Sequence, residues 1–222
     1  MSIRKTPFVG GEYYHLYNRG NSKQKIFHDE EDYRRFIALL YTCNSENYFK
    51  MSLVDAISAK DPYLWDRGKT LVSIGAYCLM PNHFHILISE SEEGGISKFM
   101  QKLSTAYAMY YNNKYKRTGG LFEGKFKSQH LSDDRYLKYI FSYIHLNPIK
   151  LIQSNWKEVG ISNKKSAMEY LGKYAHSSYL EYLGTKRKQN QIIDRSPYPK
   201  YFPSIGSFQN EILEWLSYKE SY

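Results

Sequence analysis

The chain has few cysteines and no long apolar run. Its 222 residues contain only Cys43 and Cys78, which lie far apart. Two such residues neither build a disulfide framework nor form a cysteine metal site, and their scarcity fits a reducing cytoplasm. The N-terminus has no apolar signal core, and no stretch approaches the roughly 18 apolar residues of a membrane-spanning helix. We therefore expect a cytoplasmic protein without a membrane span.

Acidic residues are outnumbered by basic ones. The chain has 31 lysines and arginines against 22 aspartates and glutamates, a net charge of +9. Such an excess favours a polyanionic partner, and nucleic acid is the first candidate. Aromatic residues make up 17% of the chain, and 23 residues are tyrosines. Most of these rings are expected in the core, but aromatics beside lysines also suit single-stranded nucleic acid, whose bases stack on rings.

Two histidines lie one residue apart in Pro81-Asn82-His83-Phe84-His85, at the start of an apolar run. In a strand, residues two apart point to the same face, so both imidazoles would aim at one point. Imidazole nitrogens bind transition metals, and two convergent ligands leave positions open for a substrate. From the spacing alone, the alternative is a pair of partly buried histidines bonded to backbone carbonyls.

A second informative segment is Ser142-Tyr143-Ile144-His145-Leu146-Asn147-Pro148. It ends a helical pattern in which Tyr136, Tyr139, Ile140, Tyr143 and Asn147 share one face. Pro148 disfavours further helix, so Asn147 is expected at the helix end, one turn after Tyr143. Taken alone, Tyr143 also reads as one more core tyrosine.

The predicted elements follow the order β-α-β-β-α-β-α. Strands are expected at 11–18, 70–79, 83–89 and 121–131, and helices at 29–44, 96–114 and 133–147, the last capped by Ser132. Residues 45–69 are expected to be a loop or a short helical insertion. This order predicts an α+β fold, a ferredoxin-like split βαβ unit whose antiparallel sheet carries helices on one face.

The C-terminal third is predicted to add helical structure to that fold. Residues 1–150 are expected to form one domain, and residues 151–222 a C-terminal extension packed on it, with a short helix near 202–218.

The segments above, taken in order, resemble the single-tyrosine HUH transposases, and most closely the REP-associated tyrosine transposases. The resemblance spans roughly residues 8–182. Its motifs are Tyr14-His15-Leu16-Tyr17-Asn18-Arg19-Gly20, Ala76-Tyr77-Cys78-Leu79-Met80-Pro81-Asn82-His83-Phe84-His85, Thr105-Ala106-Tyr107-Ala108-Met109-Tyr110-Tyr111-Asn112, Gly120-Leu121-Phe122-Glu123-Gly124-Lys125-Phe126-Lys127, Tyr143 to Pro148 and Ser177-Ser178-Tyr179. Each motif is short, but the ordered set is specific.

The resemblance implies a DNA transposase that cleaves and rejoins single-stranded DNA at hairpin or palindromic elements. Tyr143 would be the catalytic nucleophile and would form a 5′-phosphotyrosine intermediate, so no nucleotide cofactor is needed. His83 and His85 would hold a divalent cation, Mg²⁺ or Mn²⁺, with Asn147 as the nominated third ligand. Gln129 and His130 are lesser candidates for lining the site. The implied partner is single-stranded or hairpin DNA, and the protein would act as a monomer or a homodimer.

Basic residues near the predicted site are candidates for DNA binding, because such groups contact phosphates and set salt dependence. They are Arg19, Lys114, Lys116, Arg117, Lys125 and Lys127. Lys125 and Lys127 are expected on one face of the last strand. For each residue singly, the alternative is an ordinary solvated side chain.

Two other functions stay open at this point. A catalytically silent nucleic-acid-binding protein would retain the fold, although the chain lacks the aromatic signature of RNA-recognition modules. A metal-dependent nuclease without a covalent intermediate would need only the histidines. Other tyrosines that could replace Tyr143 as the nucleophile are Tyr107, Tyr110, Tyr111, Tyr136 and Tyr139.

Overall fold

A computed structural model describes residues 7–47 and 61–217. Strands β1 Tyr13–Arg19, β2 Val72–Met80, β3 His83–Glu90 and β4 Lys127–His130 form one sheet in the order β2-β3-β1-β4. Every neighbouring pair is antiparallel. Helix α1 Glu30–Thr42 connects β1 to β2, and helix α2 Gly95–Lys114 connects β3 to β4. Each connection skips one strand, which is the split βαβ topology, so the predicted fold class is confirmed.

Helices α1 and α2 cover the first face of the sheet, as predicted. Alternation along β1 and β3 sends Leu16, Phe84 and Ile86 into this core, where they meet residues such as Phe36 of α1 and Tyr107 of α2. Asp29 caps α1, because its carboxylate accepts a hydrogen bond from the Asp32 backbone amide at 3.0 Å. This layer fixes which side chains of each strand remain for the second face.

The second face is covered by later helices. They are α3 Asp134–Leu146, α4 Trp156–Val159, α5 Lys164–Lys173, α6 Tyr179–Tyr182 and α7 Ile205–Ser217, with a 3-10 turn at Asn147–Leu151. Their apolar residues join Ala76, Cys78 and Leu87 of the sheet in a second core. The C-terminal segment is thus a second helical layer, which the sequence analysis expected only as an extension. The predicted boundary at residue 150, between the domain and its C-terminal extension, stays a prediction.

The Ser177-Ser178-Tyr179 motif attaches this layer to the sheet. Ser178 Oγ accepts a hydrogen bond from the Tyr77 backbone amide at 2.9 Å. The same hydroxyl lies 2.7 Å from Nε2 of the buried His145 on α3. One serine therefore connects β2, α3 and the start of α6.

Several predicted boundaries need correction. β4 begins at Lys127 rather than at 121, because Gly124 adopts a positive φ of 72° and turns the chain before it. Helix α3 is capped by Asp133, which accepts from the Tyr136 amide at 2.8 Å, and not by Ser132. Within the predicted loop at 45–69, Pro62–Leu64 forms a 3-10 turn, and residues 48–60 lie outside the described residues. Among the described residues, no helix combines the length and hydrophobicity that crossing a membrane requires.

Gly75 marks a bulge in β2 and offers a test of how the second core is packed. The β2–β3 register shifts between Ile74 and Ala76, and a Cβ added at Gly75 would lie 2.7 Å from the ring of the buried Tyr198. We expect Gly75→Ala to lower the free energy of unfolding by about 1–3 kcal/mol, the typical cost of overpacking. Urea denaturation measures it. Gly172→Ala is the matched control, because nothing lies within 4 Å of that Cβ. Equal losses at both positions would contradict this account.

Candidate active site

Three histidines gather on the second face of the sheet. His83 and His85 lie on the same side of β3, and their ring centroids are 5.0 Å apart with the planes nearly perpendicular. The convergence predicted from their spacing is therefore present. His83 is half-buried, and its Nδ1 lies 2.6 Å from Asn82 Oδ1. His85 is buried.

His15 of β1 is the third histidine, and the sequence motifs alone did not predict it as a site residue. Its Nε2 lies 2.9 Å from His85 Nδ1, and the two rings stack at 5.1 Å between centroids. The pairing of Tyr17 with His85 places His15 diagonally across from His85. Alternation of side chains along β1 does predict that His15 shares a face of the sheet with Tyr13 and Tyr17. Its closeness to His85, however, depends on the β1–β3 register, which the sequence alone does not give.

Burial keeps these imidazoles neutral at physiological pH. Desolvation lowers the pKa of His15 to about 4. Burial, and then the positive charges of Lys150 and Arg19, lower the pKa of His83 to about 4. For His85, burial and the neighbouring His15 and His83 rings hold the pKa well below its usual range. A neutral imidazole has a free lone pair, which a metal ligand requires.

Tyr143 of α3 faces this histidine cluster. Its ring centroid is 5.5 Å from that of His85 and 5.9 Å from that of His15, both edge-on. A groove of about 390 Å³ opens between α3 and the sheet, and Tyr143, His85 and His15 line it together with Tyr17 and Gln129. Burial and the nearby Tyr139 raise the pKa of the Tyr143 phenol. At neutral pH the phenol is therefore protonated, so its attack needs assistance.

Asn147 follows Tyr143 by one turn, as predicted. Its side chain is 2% exposed, and its Nδ2 donates to the Tyr143 backbone carbonyl at 2.8 Å. Lys157 reaches the same tyrosine from α4, with Nζ 4.7 Å from the ring centroid. The His15 and His85 imidazoles, the Asn147 amide and the Lys157 ammonium group therefore all lie close to Tyr143.

The donor atoms suit a divalent cation. His85 Nε2 and Asn147 Oδ1 are both buried and lack a hydrogen-bond partner, which is costly unless a ligand satisfies them. Imidazole nitrogens and an amide oxygen are ligands that Mn²⁺ and Mg²⁺ accept. Within residues 7–47 and 61–217 no group of three or more His, Cys, Asp or Glu side chains is arranged to hold a metal, so the ligand set His83, His85 and Asn147 stays a proposal.

Two of the predicted DNA-binding residues lie beside the histidines. Arg19 and Lys127 line a depression of about 330 Å³ together with His83 and Lys23. Lys127 is exposed, whereas Arg19 forms an ion pair with Glu123, which also lines the depression. Arg19 ends β1 and Lys127 begins the neighbouring β4, so this depression lies at one end of the two strands, beside His83.

The other four predicted DNA-binding residues line neither the groove at Tyr143 nor the depression at His83. Lys114 Nζ lies within 3.0 Å of the carboxylates of Asp29, Glu31 and Asp32, which offset its charge. Lys116 is exposed, and the Arg117 guanidinium lies over the Tyr111 ring at 5.5 Å. Lys125 is exposed but precedes β4, so it does not share a strand face with Lys127 as predicted.

The other tyrosines considered as the nucleophile fall into two groups, according to the face of the sheet on which they lie. Tyr107, Tyr110 and Tyr111 lie on α2 at the first face of the sheet, where their hydroxyls bond to Ile26 O, Asp32 and Lys25 O. Tyr136 and Tyr139 line the same groove as Tyr143. Tyr17 is a further tyrosine near the histidines, with its ring centroid 6.1 Å from that of His85.

Comparison with known proteins agrees with the motifs. Residues 67–147 match the family model described as Transposase IS200 like. This segment is about a third of the chain and contains His83, His85, Tyr143 and Asn147, whereas His15 and Lys157 lie outside it.

A solved structure described as the REP-associated tyrosine transposase bound to a REP hairpin has a similar fold, with a TM-score of 0.50 at 11% identity, over 85% of this chain and 90% of that one. The resemblance to tyrosine transposases predicted from the sequence is confirmed. No curated protein matches the chain in sequence.

Proposed function

We propose that this protein is a transposase that cleaves and rejoins single-stranded DNA at hairpin elements, with Tyr143 as its nucleophile. The match to IS200-like transposases and the shared fold support a transposase that acts on DNA. The observation that carries the finer assignment is the edge-on contact of Tyr143 with His85, at 5.5 Å between ring centroids. It puts a covalent nucleophile beside a pair of neutral imidazoles.

The reaction is a transesterification at phosphorus. The Tyr143 phenolic oxygen forms a bond to the phosphorus and loses its proton, while the bond from phosphorus to the 3′ oxygen breaks. That oxygen takes up a proton and leaves as a 3′-hydroxyl, and the 5′ phosphate stays on the tyrosine. Because the phosphodiester energy is kept, the reverse attack by a 3′-hydroxyl rejoins the strand without a nucleotide cofactor.

The chain's own residues supply positioning and charge. Lys157, close to the Tyr143 ring, stabilises the phenolate that forms during attack. His83, His85 and Asn147 would hold a divalent cation, which supplies Lewis-acid polarisation of the scissile phosphate. His15, hydrogen-bonded to His85 Nδ1, leaves Nε2 as the nitrogen available for the cation. Arg19 and Lys127 would contact phosphates beside the histidines.

Adduct trapping tests this function. The full chain is incubated with labelled hairpin DNA bearing single-stranded flanks and Mn²⁺, and the products are separated by denaturing electrophoresis. We expect a labelled protein band that disappears on protease digestion. Cleavage without that band would indicate a nuclease without a covalent intermediate. Binding with neither product, across several hairpins, would indicate a silent binding protein.

The basic surface leads to a second expectation, on the salt dependence of DNA binding. The affinity for a single strand should fall steeply with salt, and Lys127→Gln should reduce the slope of log K against log salt by about 0.7 for one lost phosphate contact. Anisotropy titrations at several salt concentrations measure it. Lys165→Gln, an exposed lysine on α5, is the control and should keep the slope. Identical slopes for Lys127→Gln and the wild type would remove Lys127 from the interface.

A further inference from the structure

A second cavity, of about 400 Å³, lies on the other side of Tyr143. It opens between α3, α4 and α7 and borders the Asn147–Leu151 turn. Its walls are mainly rings, from Tyr136, Tyr139, Trp156 and Trp215. The volume is typical of a small-ligand site. Tyr143 lines both this cavity and the groove that holds the histidines, so a ligand here would lie next to the reacting phenol.

The Trp215 ring is held in place by polar contacts. Its Nε1 donates to Glu211 at 2.9 Å, and Glu211 pairs with Lys138 of α3 at 2.5 Å. The ring packs against Tyr139 with 4.7 Å between centroids and a tilt of 59°. A fixed aromatic wall binds a flat ligand with little loss of conformational entropy.

Two lysines give the cavity a positive charge. Lys150 and Lys157 both line it, and no carboxylate does so among the described residues. Burial, and then the positive charge of Lys157, lower the pKa of Lys150. The two ammonium groups therefore repel each other, and an anion between them would relieve that repulsion. A phosphate group is the anion that DNA offers here.

One of the residues that line the cavity carries an unsatisfied hydrogen-bond donor. Trp156 is 4% exposed, and its indole Nε1 has no hydrogen-bond partner. A buried donor left unpaired destabilises the folded protein. A carbonyl oxygen or ring nitrogen on the edge of a nucleobase can accept this bond, whereas a purely apolar side chain filling the cavity cannot.

We propose that this cavity binds one unpaired nucleobase adjacent to the phosphate that Tyr143 attacks, an inference that rests on the proposed function. The aromatic rings stack against the base, Trp156 Nε1 donates to its edge, and Lys150 and Lys157 contact the flanking phosphates. Rings combined with cations are how proteins hold single strands without strong sequence preference. Such a site would fix the strand so that the scissile bond lies at the phenol.

The test is a binding cycle with two probes and the full chain. One probe is oligothymidine, and the other is an abasic oligomer of the same length, which keeps the phosphates and lacks the bases. Trp215→Leu should weaken oligothymidine binding between about fivefold and a hundredfold, the range found for loss of one stacked base, and should leave abasic binding nearly unchanged. Trp215→Phe keeps a ring and should retain most of the affinity. Trp65→Leu, outside the cavity, is the control.

Equal losses on both probes would assign Trp215 a structural role and overturn the inference, as would no loss on oligothymidine or no binding of either oligomer. Circular dichroism identifies a variant that fails to fold. The double variant Trp65→Phe/Trp215→Phe, in which Trp156 is the one remaining tryptophan, then decides by quenching of its fluorescence. Quenching by oligothymidine and not by the abasic oligomer supports the cavity, and equal responses overturn it. A normal adduct without any base preference would refute this site and leave the transposase function intact. A base preference without any adduct would support the nucleobase site and refute the transposase function.

Discussion

Tyr143→Phe should abolish the covalent protein–DNA adduct while leaving DNA binding nearly unchanged. The substitution removes one hydroxyl and keeps the ring that contacts His85 and His15. Loss of a covalent nucleophile lowers the rate on the order of a thousandfold or more. Adduct formation on labelled hairpin DNA, followed by denaturing electrophoresis, measures the rate. Anisotropy on the same DNA measures binding.

The controls follow from where the other tyrosines lie. Tyr17→Phe is the most demanding, because its ring is also near His85 and it also lines the groove. Tyr136→Phe and Tyr139→Phe each remove another tyrosine hydroxyl from the groove, and Tyr107→Phe removes one from the core on the first face of the sheet. Each of these four variants should still form the adduct. If Tyr143→Phe retained the adduct and Tyr17→Phe lost it, the nucleophile would be on β1 rather than on α3.

Local sequence patterns were enough to predict the sheet and part of the site. The alternation around His83 and His85 predicts a shared strand face, and the spacing from Tyr136 to Asn147 predicts a shared helix face. Both patterns depend on the geometry of one element, so no tertiary information is required. The start of β4 was predicted less well. The apolar residues near 121–126 suggest a strand that begins at 121, but Gly124 at a positive φ turns the chain, so β4 begins only at Lys127.

Contacts between elements distant in sequence could not be predicted in this way. His15 reaches His85 only through the β1–β3 register, and Trp215 reaches Tyr139 only because α7 packs against α3. Charge alone makes Lys114 a candidate for DNA binding, but the first turn of α1 brings carboxylates to it. Charge and hydrophobicity describe a residue's chemistry, whereas its partner depends on how distant segments fold together.

His85→Ala should remove metal-dependent cleavage and also the stabilisation that a bound cation gives to the folded protein. In the wild type, Mn²⁺ at a hundred times its dissociation constant should add about 2.7 kcal/mol to the free energy of unfolding, because it binds only the folded state. Thermal unfolding with and without Mn²⁺ measures this without any DNA. The variant should lose this response, because it lacks His85 Nε2, a buried nitrogen without a hydrogen-bond partner.

His83→Ala should behave in the same way if both imidazoles bind the cation. His28→Gln is the control, because His28 contacts Tyr111 on the first face of the sheet, away from this site. A Mn²⁺ response that survives in both His83→Ala and His85→Ala would show that the cation binds elsewhere. The two histidines would then be buried packing residues, and the unpaired Nε2 would need another explanation. A response lost in His85→Ala and kept in His83→Ala would remove His83 from the proposed ligand set.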